Sequence, residues 1–402
     1  MTSTTSISEV ATPAAPETPA APVIPIMVPY LGIEEQEAAA AAIASGWVAQ
    51  GPRVAEFEER FAHHLGAANA VAVSNCTTAL HLALYALGLG SGDEVVVPSL
   101  SFIATANAPR YVGATPVFAD VDIDTQNLTV ETIEAVVTPA TRAVVVVHQG
   151  GMPADMATIG PWCAARGIAV VEDAACAIGS TIGGRPVGGD AHLAAFSFHP
   201  RKILTTGEGG MIVTDDAEVA GRLRRLREHG MSVSAAERHR SGGAPVLEQY
   251  LEVGFNYRMT DIQAAVGLVQ LGRLPEVVAR RRELADRYRD GLGDLTALRL
   301  PTDRPWGTTN HQSYAVLLRG APVSRNDLMT ALAERGISSR RGIMAAHLEP
   351  AYEGHPHAPL PVTEELTHHS IILPLFHQMT DEQHARVVAA VRELVGGGSA
   401  SA

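Results

Sequence analysis

Cysteine is scarce in this chain: Cys76, Cys163 and Cys176 are the only three in 402 residues. An odd number with no C-x-x-C pair excludes a disulfide framework and predicts a reduced, cytoplasmic protein. Apolar runs long enough to span a bilayer are also missing, so no membrane partner is expected. There is no basic surplus. The formal net charge is −13 and the isoelectric point is near 5.6. That argues against nucleic acid as a partner, because neutralising phosphates needs a basic surface. A small phosphorylated ligand needs only a local basic pocket and stays open. No G-x-G-x-x-G follows the first strand and no Walker sequence occurs, so NAD and ATP are poorly supported. The histidines at 63–64, 355 and 357, and 368–369 lack a second set of ligands, so no metal is expected. The first residues lack a basic patch followed by an apolar core, so they do not read as a secretory leader.

What is present is an ordinary globular composition. Hydrophobic residues make up 46%, charged residues 18%, and the mean hydropathy is +0.09. The length suits a large domain plus a smaller one. Residues 1–25 are rich in Ala, Pro, Thr and Ser and read as a disordered tail; 396–402 read as a flexible end. Between them, apolar strands alternate with helical stretches. Strands are predicted at 71–73, 95–98, 115–121, 143–147, 168–171, 194–198 and 211–213. Continuous apolar strands of this kind imply an α/β fold with a mostly parallel sheet covered by helices on both faces. Residues from about 222 to 290 read as helical. From about 310 a smaller α+β pattern follows, with a strand at 314–318 and helices at 324–335 and 381–395. The division is a large α/β domain over 26–290 and a small C-terminal domain over 291–395.

Ligands of such sheets sit at the carboxyl ends of the strands. Three ends here carry related chemistry. Ser74-Asn75-Cys76-Thr77-Thr78 opens a helix, where free N–H groups and the positive dipole end suit a phosphate; a plain helix cap reads the same way. Glu172-Asp173 ends another strand. Ser197 ends a third, and Lys202 follows it in a glycine-rich turn. A desolvated lysine can attack a carbonyl, whereas an exposed loop lysine does nothing of the kind. Phosphate cradle, acid, serine and lysine on neighbouring strand ends together suggest pyridoxal 5'-phosphate.

Six stretches in order then carry a resemblance: Gly51-Pro52-Arg53-Val54 with Phe57-Glu58; Ser74 to Leu80; Pro98 to Phe102; Glu172 to Ala175; Ser197 to Gly210; and Gly254 to Asp261. The chain resembles the DegT-type sugar aminotransferases, pyridoxal-phosphate enzymes of the aspartate-aminotransferase fold, from about Pro25 to Val395. The resemblance implies that Lys202 is the Schiff-base lysine and proton shuttle and that Asp173 pairs with the pyridine nitrogen. It implies phosphate contacts from Cys76, Thr77 and Ser197, and a ring stacked on the cofactor at Phe102. It implies a homodimer in which Asn256 reaches the neighbouring active site. Cys176 is a departure, since the family usually has Gln or His there, near the ring hydroxyl. The stretch Ser338 to His347 also departs, where specificity is usually set. Substrate-side candidates are Trp47, His199, Arg340, Arg341 and His347. The implied reaction is amination of a keto-sugar, nucleotide-linked, with L-glutamate as donor, in secondary-metabolite or surface-glycan biosynthesis. The alternatives are a keto-cyclitol or other pathway ketone, and a non-catalytic cofactor-binding regulator.

Overall fold

Short β-branched runs make the central layer. In the computed structural model, which describes residues 22–233 and 247–396, Val95 to Val97 and Val144 to Val146 are fully buried. Alternation of side chains sends them to two faces. Val95, Val97, Val145 and Val171 pack with Leu80 and Leu84 on one face. Val96, Val144 and Val146 pack with Ile159 and Cys163 on the other. A third cluster joins Phe57, Phe61, Phe196 and Phe198 to the long helix Asp261–Leu292.

The strands of the large sheet and its neighbouring hairpin are β1 (Asn69–Val73), β2 (Glu94–Pro98), β3 (Thr115–Ala119), β4 (Thr141–Val147), β5 (Ala169–Asp173), β6 (Thr181–Ile182), β7 (Arg185–Pro186), β8 (Ala194–Ser197) and β9 (Gly210–Thr214). The sheet order is β1-β9-β8-β5-β4-β2-β3. Only β9 runs against the rest, pairing antiparallel with both β1 and β8. Register then gathers the site. Val73 and Ser197 both pair with Gly210, and Asp173 pairs with Val147 and Ala195. The sheet thus brings the ends of β1, β5 and β8 and the start of β9 to one edge.

A second sheet follows the long helix: β10 (Leu298–Arg299), β12 (Tyr314–Leu318), β14 (Ser370–Leu373) and β13 (Arg340–Arg341), in that order and all antiparallel. Between them β11 (Gly307–Thr308) joins the β6–β7 hairpin. The strand expected at 314–318 and the helix at 381–395 are found at those bounds. Arg281 ties the two parts of the chain together. It is 2% exposed, and its guanidinium donates to the carbonyls of His311, Gln312 and Leu375 over 2.7–3.1 Å. No acid among the described residues pairs with it, and burial pulls its pKa down to about 9.

Two expectations need correction. Residues 22–25 are not part of a loose tail. Ile24 is fully buried, and its N–H and carbonyl bond to Gly336 and Ser338. Residues 1–21 and 397–402 lie outside the described residues. The stretch from 222 to 290 is not continuously helical either. One helix ends at Leu226, and the described residues that follow it, 227–233 and 247–260, run in turns, bends and isolated bridges up to the helix that starts at Asp261. Glycine explains part of this. A side chain on Gly230 would sit 2.0 Å from the Glu252 carbonyl, and one on Gly254 would sit 2.2 Å from Gly230 N. Bare backbone lets these segments bridge at Glu228–Asn256 and Met231–Tyr250.

Candidate active site

Lys202 sits in the turn after β8, where its N–H donates to the His199 carbonyl over 2.8 Å. Gln312 clamps both of its flanks. It accepts from Ile203 N over 3.0 Å and donates to the Arg201 carbonyl over 2.7 Å. The half-buried lysine then points its Nζ at Cys176 Sγ, 3.1 Å away.

Asp173 ends β5, and only 5% of its surface is exposed. Thr105 Oγ1 donates to Oδ2 over 2.8 Å, and Ala175 N donates to Oδ1 over 3.2 Å. Ser101 backs Thr105, with their hydroxyls 2.7 Å apart. Burial pushes the Asp173 carboxyl above its ordinary range, against the pull of Thr105, Ala175, Lys202 and His148. Such a group is relieved by a cation placed against it. The neighbouring acid is engaged elsewhere, since Glu172 pairs with buried His148 at 2.9 Å. His148 accepts the Ala154 N–H at Nδ1 over 3.0 Å, so Nε2 carries the proton toward Glu172.

The third element is the helix Cys76–Ala86. Its cap, Asn75, accepts the Thr78 N–H over 2.9 Å. The N–H groups of Cys76 and Thr77 meet no acceptor among the described residues. Gly210 lets β9 close on this turn, since a side chain there would lie 2.5 Å from the Asn75 carbonyl carbon. Ser74 N donates to Tyr257 O over 2.8 Å, which ties the Gly254–Asp261 stretch to the same turn.

The candidates from sequence therefore separate. Lys202, Cys176, Asp173 and Cys76 act on one another electrostatically, and Thr77 and Ser197 stand at the same sheet edge. Ser197 is buried, and its hydroxyl accepts the His199 N–H over 3.4 Å. Phe102 precedes the helix Ile103–Tyr111 at its cap position and is 64% exposed. Asn256 is exposed beside its bridge to Glu228. The His199 ring accepts the Arg201 N–H over 3.2 Å, and burial pulls the imidazole below its ordinary pKa. Arg340 feels both Arg201 and Cys176, which places it toward Lys202, and no carboxylate pairs with it among the described residues. Arg341 turns to Glu349 at 3.4 Å. Trp47 packs its ring on the Gly51 turn. His347 lies in the turn beside the end of β2. It is 7% exposed, its N–H donates to Ser99 Oγ over 3.2 Å, and its Nδ1 lies 2.6 Å from the same hydroxyl. These bonds bracket the end of β2 to the 344–347 turn.

A buried acid, an amine and a helix N-terminus with free donors form a coherent set, and likeness to known proteins fixes its kind. The sequence profile of the DegT/DnrJ/EryC1/StrS aminotransferase family matches residues 29–392.

The chain belongs to that family.

Solved structures agree. The aminotransferase TlmJ from Streptoalloteichus hindustanus is 40% identical, with a TM-score of 0.84 over 92% of this chain and 98% of its own. DesV of S. venezuelae, in complex with a ketimine intermediate, is 34% identical, with a TM-score of 0.84 over 93% and 98%. Spr1654 of Streptococcus pneumoniae in its PLP form is 28% identical, with a TM-score of 0.83 over 91% and 97%. The cofactor of the family is pyridoxal 5'-phosphate. The residues here fit it: unpartnered N–H groups for a phosphate, a buried acid lacking a strong cation, and an amine beside both.

Sequence reasoning missed Thr105, Gln312 and Asn310, because their partners are far apart along the chain. Lys202 is the only lysine in the protein, against 29 arginines.

Proposed function

We propose that this aminotransferase binds pyridoxal 5'-phosphate on Lys202 and aminates a keto-sugar, nucleotide-linked, with L-glutamate as donor. The observation that carries the reading is the chain's single lysine, held between the buried Asp173 carboxylate, Cys176 and the free N–H groups of the Cys76 helix. Bound there, the cofactor would supply an aldehyde and an electron-withdrawing ring.

The chain's own residues do the rest. Asp173, its two oxygens fixed by Thr105 and Ala175, would supply the negative charge for a protonated ring nitrogen. Cys76 N, Thr77 N and the Ser197 hydroxyl would hold a phosphate. Phe102 would lie against the ring. Lys202 Nζ, once free, would serve as general acid and base. Arg340 takes an anionic group of the substrate, the donor carboxylate or a diphosphate. Asn256, on an exposed segment with Tyr250, Leu251 and Val253, reaches into the site of a second copy in a homodimer.

The sugar reading draws on relatives. PseC of Helicobacter pylori, described as an aminotransferase involved in the biosynthesis of pseudoaminic acid, is 26% identical with a TM-score of 0.85. No helix among the described residues is long and apolar enough to cross a membrane, and the proposed site of action is the cytoplasm. The test is visible absorbance of the purified protein before and after L-glutamate, with Lys202→Ala beside it. The wild type should be yellow and bleach with glutamate, and the variant should show no lysine-linked band. Keto-sugars are then screened against keto-cyclitols, with free nucleoside diphosphate as competitor. A wild type that binds no cofactor would sink the proposal. Competition by the diphosphate would favour the nucleotide-linked substrate.

A further inference from the structure

The contact between Lys202 Nζ and Cys176 Sγ at 3.1 Å is built by one tripeptide. Asn310 Nδ2 donates to the carbonyls of Cys176 and Ile178 over 2.9 and 2.8 Å. Asn310 Oδ1 accepts Gln312 N over 2.8 Å. Gln312 in turn holds the backbone on both sides of Lys202. Asn310 is fully buried, and the carbonyls of the next two residues are pinned by Arg281. The loop bearing the sulfur and the loop bearing the amine are thus fixed from a common support.

We infer that Cys176 is a positioning residue for Lys202, one that holds the amine and its proton in the site before the cofactor is loaded. Charged or titratable groups face the Lys202–Cys176 pair from each neighbouring element: Cys76 from the helix Cys76–Ala86, Asp173 from β5, His199 and Arg201 from the lysine's own turn, and Arg340 of β13 toward Cys176. Burial pushes the ammonium toward losing its proton. Cys176, Cys76 and Asp173 reverse this, and the net direction is upward. Among the described residues only Cys176 makes a hydrogen bond to Nζ. The consequence is chemical. Condensation with an aldehyde forms a carbon–nitrogen bond from the Nζ lone pair and releases one water. A protonated Nζ has no lone pair to give. Cys176 therefore slows loading while it keeps Nζ aimed.

The single lysine makes this measurable without the cofactor, on which the reading otherwise depends. The full-length protein, freed of cofactor with hydroxylamine, is treated with acetic anhydride across a pH series. Mass spectrometry of the Lys202 peptide reads Nζ alone. Wild type, Cys176→Ala and Cys176→Ser are compared. In the Ala variant the reactivity profile should move to lower pH, with acetylation at neutral pH several-fold faster. Visible absorbance after adding pyridoxal phosphate should develop faster by a similar factor. A shift in Ala with a smaller one in Ser also supports the proposal, since serine keeps an acceptor. Superimposable profiles in all three proteins, with unchanged circular dichroism, overturn it. If the cofactor reading itself is at fault, the wild type takes up no pyridoxal phosphate while the acetylation profile still shifts.

Discussion

Replacing Asp261 should loosen the whole start of the protein. Asp261 is fully buried at the first turn of the helix Asp261–Leu292. Its Oδ1 accepts the N–H groups of Gly51 and Val54 over 2.8 and 3.0 Å, and Oδ2 accepts Arg53 N over 3.0 Å. These donors open the helix Pro52–Leu65. That helix cannot cap itself. Gly51 has no side chain, and one there would lie 2.5 Å from the Trp47 ring and 2.8 Å from Asp261 Oδ2. Pro52 brings no N–H. The carboxylate therefore does the capping from 210 residues away. Hydrogen bonds to a charged group contribute roughly 1.5–3 kcal/mol each, and they overlap when neighbours share one acceptor. Asp261→Ala should thus cost about 3–6 kcal/mol, and Asp261→Asn, which keeps one oxygen and the shape, about 1–3 kcal/mol. Urea unfolding followed by far-ultraviolet circular dichroism, at one protein concentration, measures both. An Ala variant within about 1 kcal/mol of wild type would show that the three bonds add nothing over water.

Acid should destabilise the protein partly through His311. Burial, then Arg281, Arg282 and Arg289, pull its pKa down to about 3, so it folds neutral. The unfolded histidine takes a proton near pH 6.5, so this stability is complete above that pH and is lost as pH falls toward 3. At pH near 4.5 the loss should be about 2–3 kcal/mol. His311→Asn, which suits the local φ of 51°, should flatten the pH dependence of the urea midpoint; an unchanged slope refutes the assignment. Arg340→Ala should lower kcat/KM for an anionic substrate by about tenfold to a hundredfold, while Arg341→Ala, whose partner is Glu349, should change little. Equal effects would remove the distinction between the two arginines. Mixing and refolding Lys202→Ala with Asn256→Ala should restore about a quarter of wild-type activity, because mixed dimers hold one intact site. No recovery would place Asn256 in its own protomer's site or outside any.

Much of this was legible because the physics is local. The strand at 314–318 is a continuous apolar run, and the helix at 381–395 carries its own Thr380 cap, so both were found at their bounds. The cofactor edge was legible for a related reason: strand ends carry polar residues that the core excludes. Failures came where the deciding partner is remote. Ile24 pairs with Ile337 across a distance no window spans. At 228–231 and 250–256 the close approach of Gly230 and Gly254 gives turns and bridges where the pattern of Arg and Glu reads as helix.

Lys202 shows both sides at once. Its position after β8 was visible, yet its aim comes from Gln312 and its neighbour from Asn310, each more than a hundred residues on. The count of one lysine needed no structure at all. It matters because guanidinium groups stay charged and do not act as amines. With 29 arginines carrying the remaining basic charge, Nζ of Lys202 and the terminal amine are the only aliphatic amines on this chain that could meet an aldehyde. A label at any other side chain would therefore contradict the chemistry assigned to this site.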